Sequence, residues 1–142
     1  MRKFKNVYVE ITKACNLKCT FCPSKNNISK EYLSFDNFKH VINQIKDYTE
    51  GIYLHILGEP LLHKGLEDIL NILEKYNLKA NITTNGTLIK DNFEIVKKSK
   101  AVRQINFSLH SSTQNKEFSN EYLLNIFESA DELKDIIISF IL

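Results

Sequence analysis

The chain has no cysteine outside residues 15–22, no long apolar run, no strong net charge and no internal sequence repeat. Each absence excludes something. The longest apolar stretch, Ile136–Leu142 with Ser139 inside it, is too short for a bilayer span, which takes about 20 apolar residues. A formal charge of +2 over 142 residues makes no electrostatic case for nucleic acid or a membrane as partner. The basic start, Met1-Arg2-Lys3-Phe4-Lys5, runs into a strand pattern rather than an apolar h-region, so no secretory signal is expected. With four glycines and two prolines, no stretch reads as a linker, and residues 1–142 are expected to form one domain. Lys97, Lys98, Lys100 and Arg103 make the densest basic run. It falls near a helix end, where cations complement the helix dipole.

What the chain does have is three clustered thiols. Cys15, Cys19 and Cys22 follow the spacing C-x3-C-x2-C, just after an alternating stretch of Val7, Val9 and Ile11 that reads as a strand. Thiolate is a soft ligand that selects zinc, copper(I) or iron–sulfur clusters. Clustered cysteines without an export signal favour a reducing cytoplasm and metal binding over disulfides. Three thiolates fall one short of the four that close a structural zinc site or saturate a four-iron cluster. The loop therefore points to a metal centre with one position open for chemistry.

Strand and helix patterns alternate along the chain. Strands are expected over 7–12, 52–57, 79–84, 104–109 and 136–142. Between them, helical spacing runs through Phe35, Phe38, Val41, Ile42, Ile45 and Tyr48 with Ser34 as cap, and through Leu66, Ile69, Leu70, Leu73 and Tyr76. A shorter helix is expected around Asn92–Ser99, and a fourth through Tyr122, Leu123, Ile126, Phe127 and Ala130. Repeated βα units imply a parallel sheet with right-handed crossovers.

A parallel sheet covered on both faces shows near-continuous apolar runs, but the first four strands here alternate. One face carries Val7, Val9, Ile11, Ile52, Leu54, Ile56, Ala80, Ile82, Ile105, Phe107 and Leu109. The other carries Tyr8, Glu10, Thr12, Tyr53, His55, Asn81, Thr83, Asn85, Asn106, Ser108 and His110. Helices need the apolar face. The polar face must then line a space for water or ligand, which fits a curved, barrel-like sheet better than a flat doubly wound one.

In barrel-like α/β folds reactive groups gather at the C-terminal ends of the strands. Those ends carry the three cysteines, then Gly58-Glu59-Pro60, then Thr83-Thr84-Asn85-Gly86, then Ser108-Leu109-His110. With these four segments in order, and Phe21 just before the third cysteine, the chain resembles the core domain of the radical S-adenosylmethionine (SAM) enzymes over nearly its full length. The stretch Gly58–His63 further resembles members that modify peptides or proteins.

The resemblance implies an α/β fold, a partial (βα) barrel of about five parallel strands with helices on its outer face. It implies a [4Fe–4S] cluster on Cys15, Cys19 and Cys22, with the fourth iron chelated by the amino and carboxylate groups of SAM. Phe21 would border the adenine. Gly58 and Glu59 would receive the methionyl ammonium through backbone carbonyl and carboxylate. Asn85 or Thr84, together with Ser108, would reach the ribose or the methionyl carboxylate. The activity implied is reductive cleavage of SAM to a 5′-deoxyadenosyl radical that takes hydrogen from a substrate. A flavodoxin- or ferredoxin-like electron donor is implied as partner.

The chain also departs from the family. Leu57 stands where a first glycine is frequent, and strand five shows no counterpart of the glycine-containing motif that packs against adenine. Five strands replace the usual six, so a truncated gene, a fragment or one piece of a larger assembly is expected. A non-catalytic subunit that binds cluster or SAM is the alternative this raises.

Each residue also has a plainer account. The cysteines with His55, His63 or His110 would make a zinc-binding interaction module. Glu59 and Pro60 would cap and start the following helix, and Asn85-Gly86 is a common turn dipeptide. Glu10 would pair with a nearby lysine, Ser108 would be a satisfied strand hydroxyl, His110 a surface residue, and Phe21 simple packing. The ordered combination is what lifts these positions above such accounts.

Overall fold

A computed structural model describes residues 3–23, 29–109 and 120–142. Among these, five strands alternate with helices. The strands are β1 (Val7–Tyr8), β2 (Gly51–Tyr53), β3 (Lys79–Thr84), β4 (Val102–Ser108) and β5 (Ile137–Ile141). The helices are α1 (Phe35–Ile45), α2 (Leu66–Lys75), α3 (Ile89–Lys98) and α4 (Asn120–Glu132). The strands lie side by side in chain order, every neighbouring pair parallel. Winding in one direction with right-handed crossovers puts all the helices on the same side of the sheet. The expected partial barrel is therefore what forms, with its other face left to line a lumen.

Local chemistry sets the helices. Ser34 caps α1, its hydroxyl accepting the Asn37 N–H at 3.2 Å, and Asp36 adds a negative charge to the first turn, where the helix dipole favours it. Phe38 and Ile42, one turn apart, are fully buried. Leu66, Ile69, Leu70 and Leu73 do the same for α2. Facing them from the sheet are Ile11, Ile52, Leu54, Ile82, Ile105 and Phe107, all essentially inaccessible. Each side chain of this size contributes about 1.5–3 kcal/mol on burial.

The lumen face carries Tyr8, Tyr53, His55, Thr83, Asn106 and Ser108, all at least partly exposed. The rings of Tyr8 and Tyr53 stack with centroids 4.6 Å apart. Thr12, Asn81 and Asn85, also expected on this face, are buried; Asn81 is fully so, and its Oδ1 accepts from Arg103 Nε at 3.3 Å, beside a register shift between Ala80 and Asn81.

The first two strands are shorter than the alternation predicts. After Tyr8 the chain still donates from Val9 to Tyr53 at 2.9 Å and from Ile11 to Leu54 at 3.5 Å, while residues 11–13 also pair with residues 31–33, through an antiparallel bridge of Thr12 with Tyr32. β2 stops at Tyr53 rather than 57. Beyond it the two-residue period lapses, and Ile56, expected on the core face, is 57% exposed and lines a cleft. The other differences are shifts of bounds: α1 ends before Tyr48, α3 begins three residues before Asn92, and β4 begins at Val102.

Candidate functional site

The cleft lies at the C-terminal end of the sheet and has a volume of about 230 Å³. Cys15, Cys19 and Cys22 line it, together with Phe21, His55, Gly58, Glu59, Thr84, Asn85 and Ser108. All nine site residues singled out from the sequence thus face one space. The cysteine loop enters it on a fixed path: the Thr12 hydroxyl donates to Glu31 O and accepts the Ala14 N–H, both at 2.9 Å. Burial pushes the Cys15 thiol above its ordinary pKa, while the Leu17 N–H, 3.5 Å from its sulfur, pulls the other way.

Gly58 is where the second strand end meets this loop. A Cβ there would sit 1.9 Å from Thr12 O, so only glycine permits the approach. The segment is clamped from both sides. Glu10 Oε1 accepts the N–H groups of Leu57 and Gly58, at 2.6 and 3.3 Å, and Ala14 O accepts the Glu59 N–H at 2.8 Å. From the sequence Glu10 is open between a substrate or proton contact in the lumen and a pair with a nearby lysine. It spends its carboxylate on backbone that the strand ladder no longer holds.

Glu59 is 2% exposed. Its Oε1 accepts from the Leu61 N–H at 3.0 Å and the Thr84 hydroxyl at 2.7 Å, and its Oε2 accepts the Asn85 N–H at 2.8 Å. One carboxylate therefore caps the 3-10 turn Pro60–Leu62 and ties the ends of β2 and β3 together. Burial pushes its pKa up, and the three hydrogen bonds oppose that. The Thr84 hydroxyl is committed in both senses, since it also accepts the Gly86 N–H at 3.0 Å. Gly86 adopts φ +79° against Ile126, a backbone conformation that suits glycine.

Asn85 is 8% exposed, and its side chain joins Asn16 and Thr87. Asn85 Nδ2 donates to Asn16 Oδ1 at 2.9 Å, Asn16 Nδ2 to Thr87 Oγ1 at 2.8 Å, and Thr87 Oγ1 to Asn85 Oδ1 at 2.7 Å. Asn16 and Thr87 were not singled out from the sequence. The one available signal was a polar amide next to the first cysteine.

Phe21 is half exposed at the cleft, and Ser108 closes it from the end of β4. His55 Nδ1 accepts the Thr83 N–H at 3.1 Å, which puts the neutral ring's proton on Nε2. Burial holds its pKa below the ordinary value. His63 is buried elsewhere, between Leu33 O at 2.9 Å and the Gly65 N–H at 3.0 Å. His110 lies outside the described residues. Among the described residues no three His, Cys, Asp or Glu side chains converge on a single metal ion. A cubane cluster makes no such demand, because each thiolate holds a separate iron.

A singly wound parallel half barrel with three cysteines and a Gly-Glu-Pro turn at its mouth defines a class. The chain belongs to the radical SAM superfamily, which it matches over residues 9–141. It is 32% identical over 90 residues to the tungsten-containing aldehyde ferredoxin oxidoreductase cofactor-modifying protein of Pyrococcus furiosus, covering 61% of this chain and 25% of that one. It is 30% identical to the GTP 3′,8-cyclase of Aquifex aeolicus, covering 96% of this chain and 44% of that one. The chain therefore spans less than half the length of these curated relatives. Among solved structures, BtrN in complex with AdoMet and 2-DOIA shares the fold with a TM-score of 0.71 at 18% identity, over 99% of this chain and 58% of BtrN. Streptococcus suis SuiB bound to S-adenosylmethionine does so at 0.64 and 21%, over 98% of this chain and 40% of SuiB.

The family's cofactors are a [4Fe–4S] cluster and SAM. The donor set fits them: three soft thiolates for iron, and hydrogen-bonding groups from three further strand ends beside them. No helix among the described residues is long and apolar enough to cross a membrane.

Proposed function

We propose that this chain binds a [4Fe–4S] cluster through Cys15, Cys19 and Cys22 and presents SAM to it, as the radical-generating core of an enzyme. The observation that carries this reading is the convergence of those cysteines with Gly58, Glu59, Thr84, Asn85 and Ser108 on one cleft. Cys15, Cys19 and Cys22 would hold the cluster, which when bound and reduced would supply the one-electron chemistry of SAM cleavage to methionine and a 5′-deoxyadenosyl radical.

The chain's own groups bind and orient. The Gly58 carbonyl and Glu59 receive the methionyl ammonium. Three of the roughly four acceptor sites of a carboxylate are already filled on Glu59, so the ammonium takes the remaining one on Oε2. Asn85 or Thr84, together with Ser108, reaches the ribose or the methionyl carboxylate; all three line the cleft. The half-exposed Phe21 ring borders the adenine.

The substrate enters from the lumen face, past Tyr8, Tyr53 and His55. The likeness of Gly58–His63 to peptide- and protein-modifying members supports a peptide or protein as substrate. A flavodoxin- or ferredoxin-like protein supplies the electron, and the clustered cysteines favour a reducing cytoplasm as the compartment.

The test is anaerobic reconstitution followed by dithionite and SAM. Formation of 5′-deoxyadenosine is expected. Its absence with cluster and SAM both bound would make the chain a non-catalytic binding subunit.

A further inference from the structure

The three-residue ring of Asn16, Asn85 and Thr87 has a direction that side-chain assignment does not leave open. The Thr87 backbone N–H donates to Asn85 Oδ1 at 3.0 Å, and a backbone N–H has no acceptor alternative. Oδ1 is thereby fixed as the oxygen of Asn85, and Nδ2 as the opposite branch. One Nδ2 hydrogen goes to Asn16 Oδ1. The other Nδ2 hydrogen is directed at Cys15 Sγ, with the nitrogen 3.9 Å from the sulfur, at the long end for an N–H···S contact. Asn16 in turn is locked by its donation to Thr87 Oγ1. A donor from the end of β3 is thus held against a sulfur of the cysteine loop, 70 residues away in sequence.

We propose that Asn85 is a positioning residue for the cluster: it directs an N–H to the Cys15 sulfur and so raises the reduction potential of the centre that Cys15 ligates. Reduction adds negative charge to the cluster and its sulfurs. A donor aimed at one of them stabilises the reduced form more than the oxidised one, and hydrogen bonds to the sulfurs are a recognised determinant of such potentials. Around the ring, every donor and acceptor is supplied by the chain, so the N–H is oriented before a cluster is bound. The inference rests on cysteine ligation of the cluster and on no part of the SAM assignment.

The test is a potentiometric titration of the reconstituted protein without SAM, followed by the EPR signal of the reduced cluster. Asn85→Ala is expected to move the midpoint to more negative potential. The expected change in the reduced-to-oxidised ratio is up to about tenfold, which corresponds to ~59 mV for one electron. Asn16→Ala leaves the Thr87 N–H gripping Asn85 Oδ1 and is expected to shift it by less than half as much. An unchanged midpoint in Asn85→Ala, or an equal shift in Asn16→Ala, would overturn the proposal. If Asn85→Ala fails to take up iron, Asn85→Asp and Asn16→Asp decide. Both put a carboxylate beside Cys15, but only the first removes the donor to sulfur, so its midpoint must lie further negative. Equal midpoints would again defeat the idea.

Discussion

The two ends of the sheet handle polar groups in opposite ways. At the C-terminal end, Glu59, Thr84, Asn85, Asn16 and Thr87 bond one another across three loops, mostly out of water. At the N-terminal end charged side chains pair singly in solvent. Lys3 meets Glu50 at 3.0 Å, Lys97 meets Glu132 at 3.1 Å, and the Lys79 ammonium donates to Lys100 O at 2.7 Å. A buried donor stripped of its partner costs about 1–3 kcal/mol, whereas an exposed ion pair contributes about 0–1 kcal/mol. The basic run at the N-terminal end is therefore a solvated rim. The hydrogen-bonded network at the other end, built round the Glu59 carboxylate, fixes the positions of groups that must act together.

Mutations at the two ends are expected to differ accordingly. The largest effect is expected from Cys19→Ala, because two thiolates do not hold the cluster; iron and sulfide analysis after anaerobic reconstitution should find none retained. Glu59→Ala should keep the cluster but strand three buried donors. We expect a loss of about 1–3 kcal/mol in denaturant unfolding and SAM binding weaker by about tenfold or more, since a charge-assisted hydrogen bond is also lost. SAM affinity equal to the parent's would remove Glu59 from the ammonium site and leave it as a strut alone. Lys97→Ala, at the other end, should change stability by less than about 0.5 kcal/mol and leave iron content untouched. A larger effect would mean that the basic rim carries structure or function after all.

Much of this was legible in the sequence where a short-range rule governs. Period-two alternation put Ile52, Leu54, Ile82, Ile105 and Phe107 in the core and Tyr53, Thr83 and Asn106 opposite them, because the ladder enforces the period. It failed at Ile56, where the ladder has ended and Glu10 holds the backbone instead. Spacing located the cysteine loop and the Gly-Glu-Pro turn correctly at one mouth. It gave no sign that the Glu59 carboxylate would be enclosed by its own fold, because the Thr84 and Asn85 donors lie 25 and 26 residues away. The Asn16–Thr87 contact, spanning 71 residues, was beyond any local pattern. Side chains whose job is set by a partner on another strand become visible only once the strands are assembled.

An open iron position that faces SAM would show in the EPR spectrum of the reconstituted, dithionite-reduced protein recorded with and without SAM. The prediction is about four irons per chain and a reduced-cluster spectrum that changes on adding SAM. Zinc in place of iron, or a cluster spectrum indifferent to SAM, would contradict it.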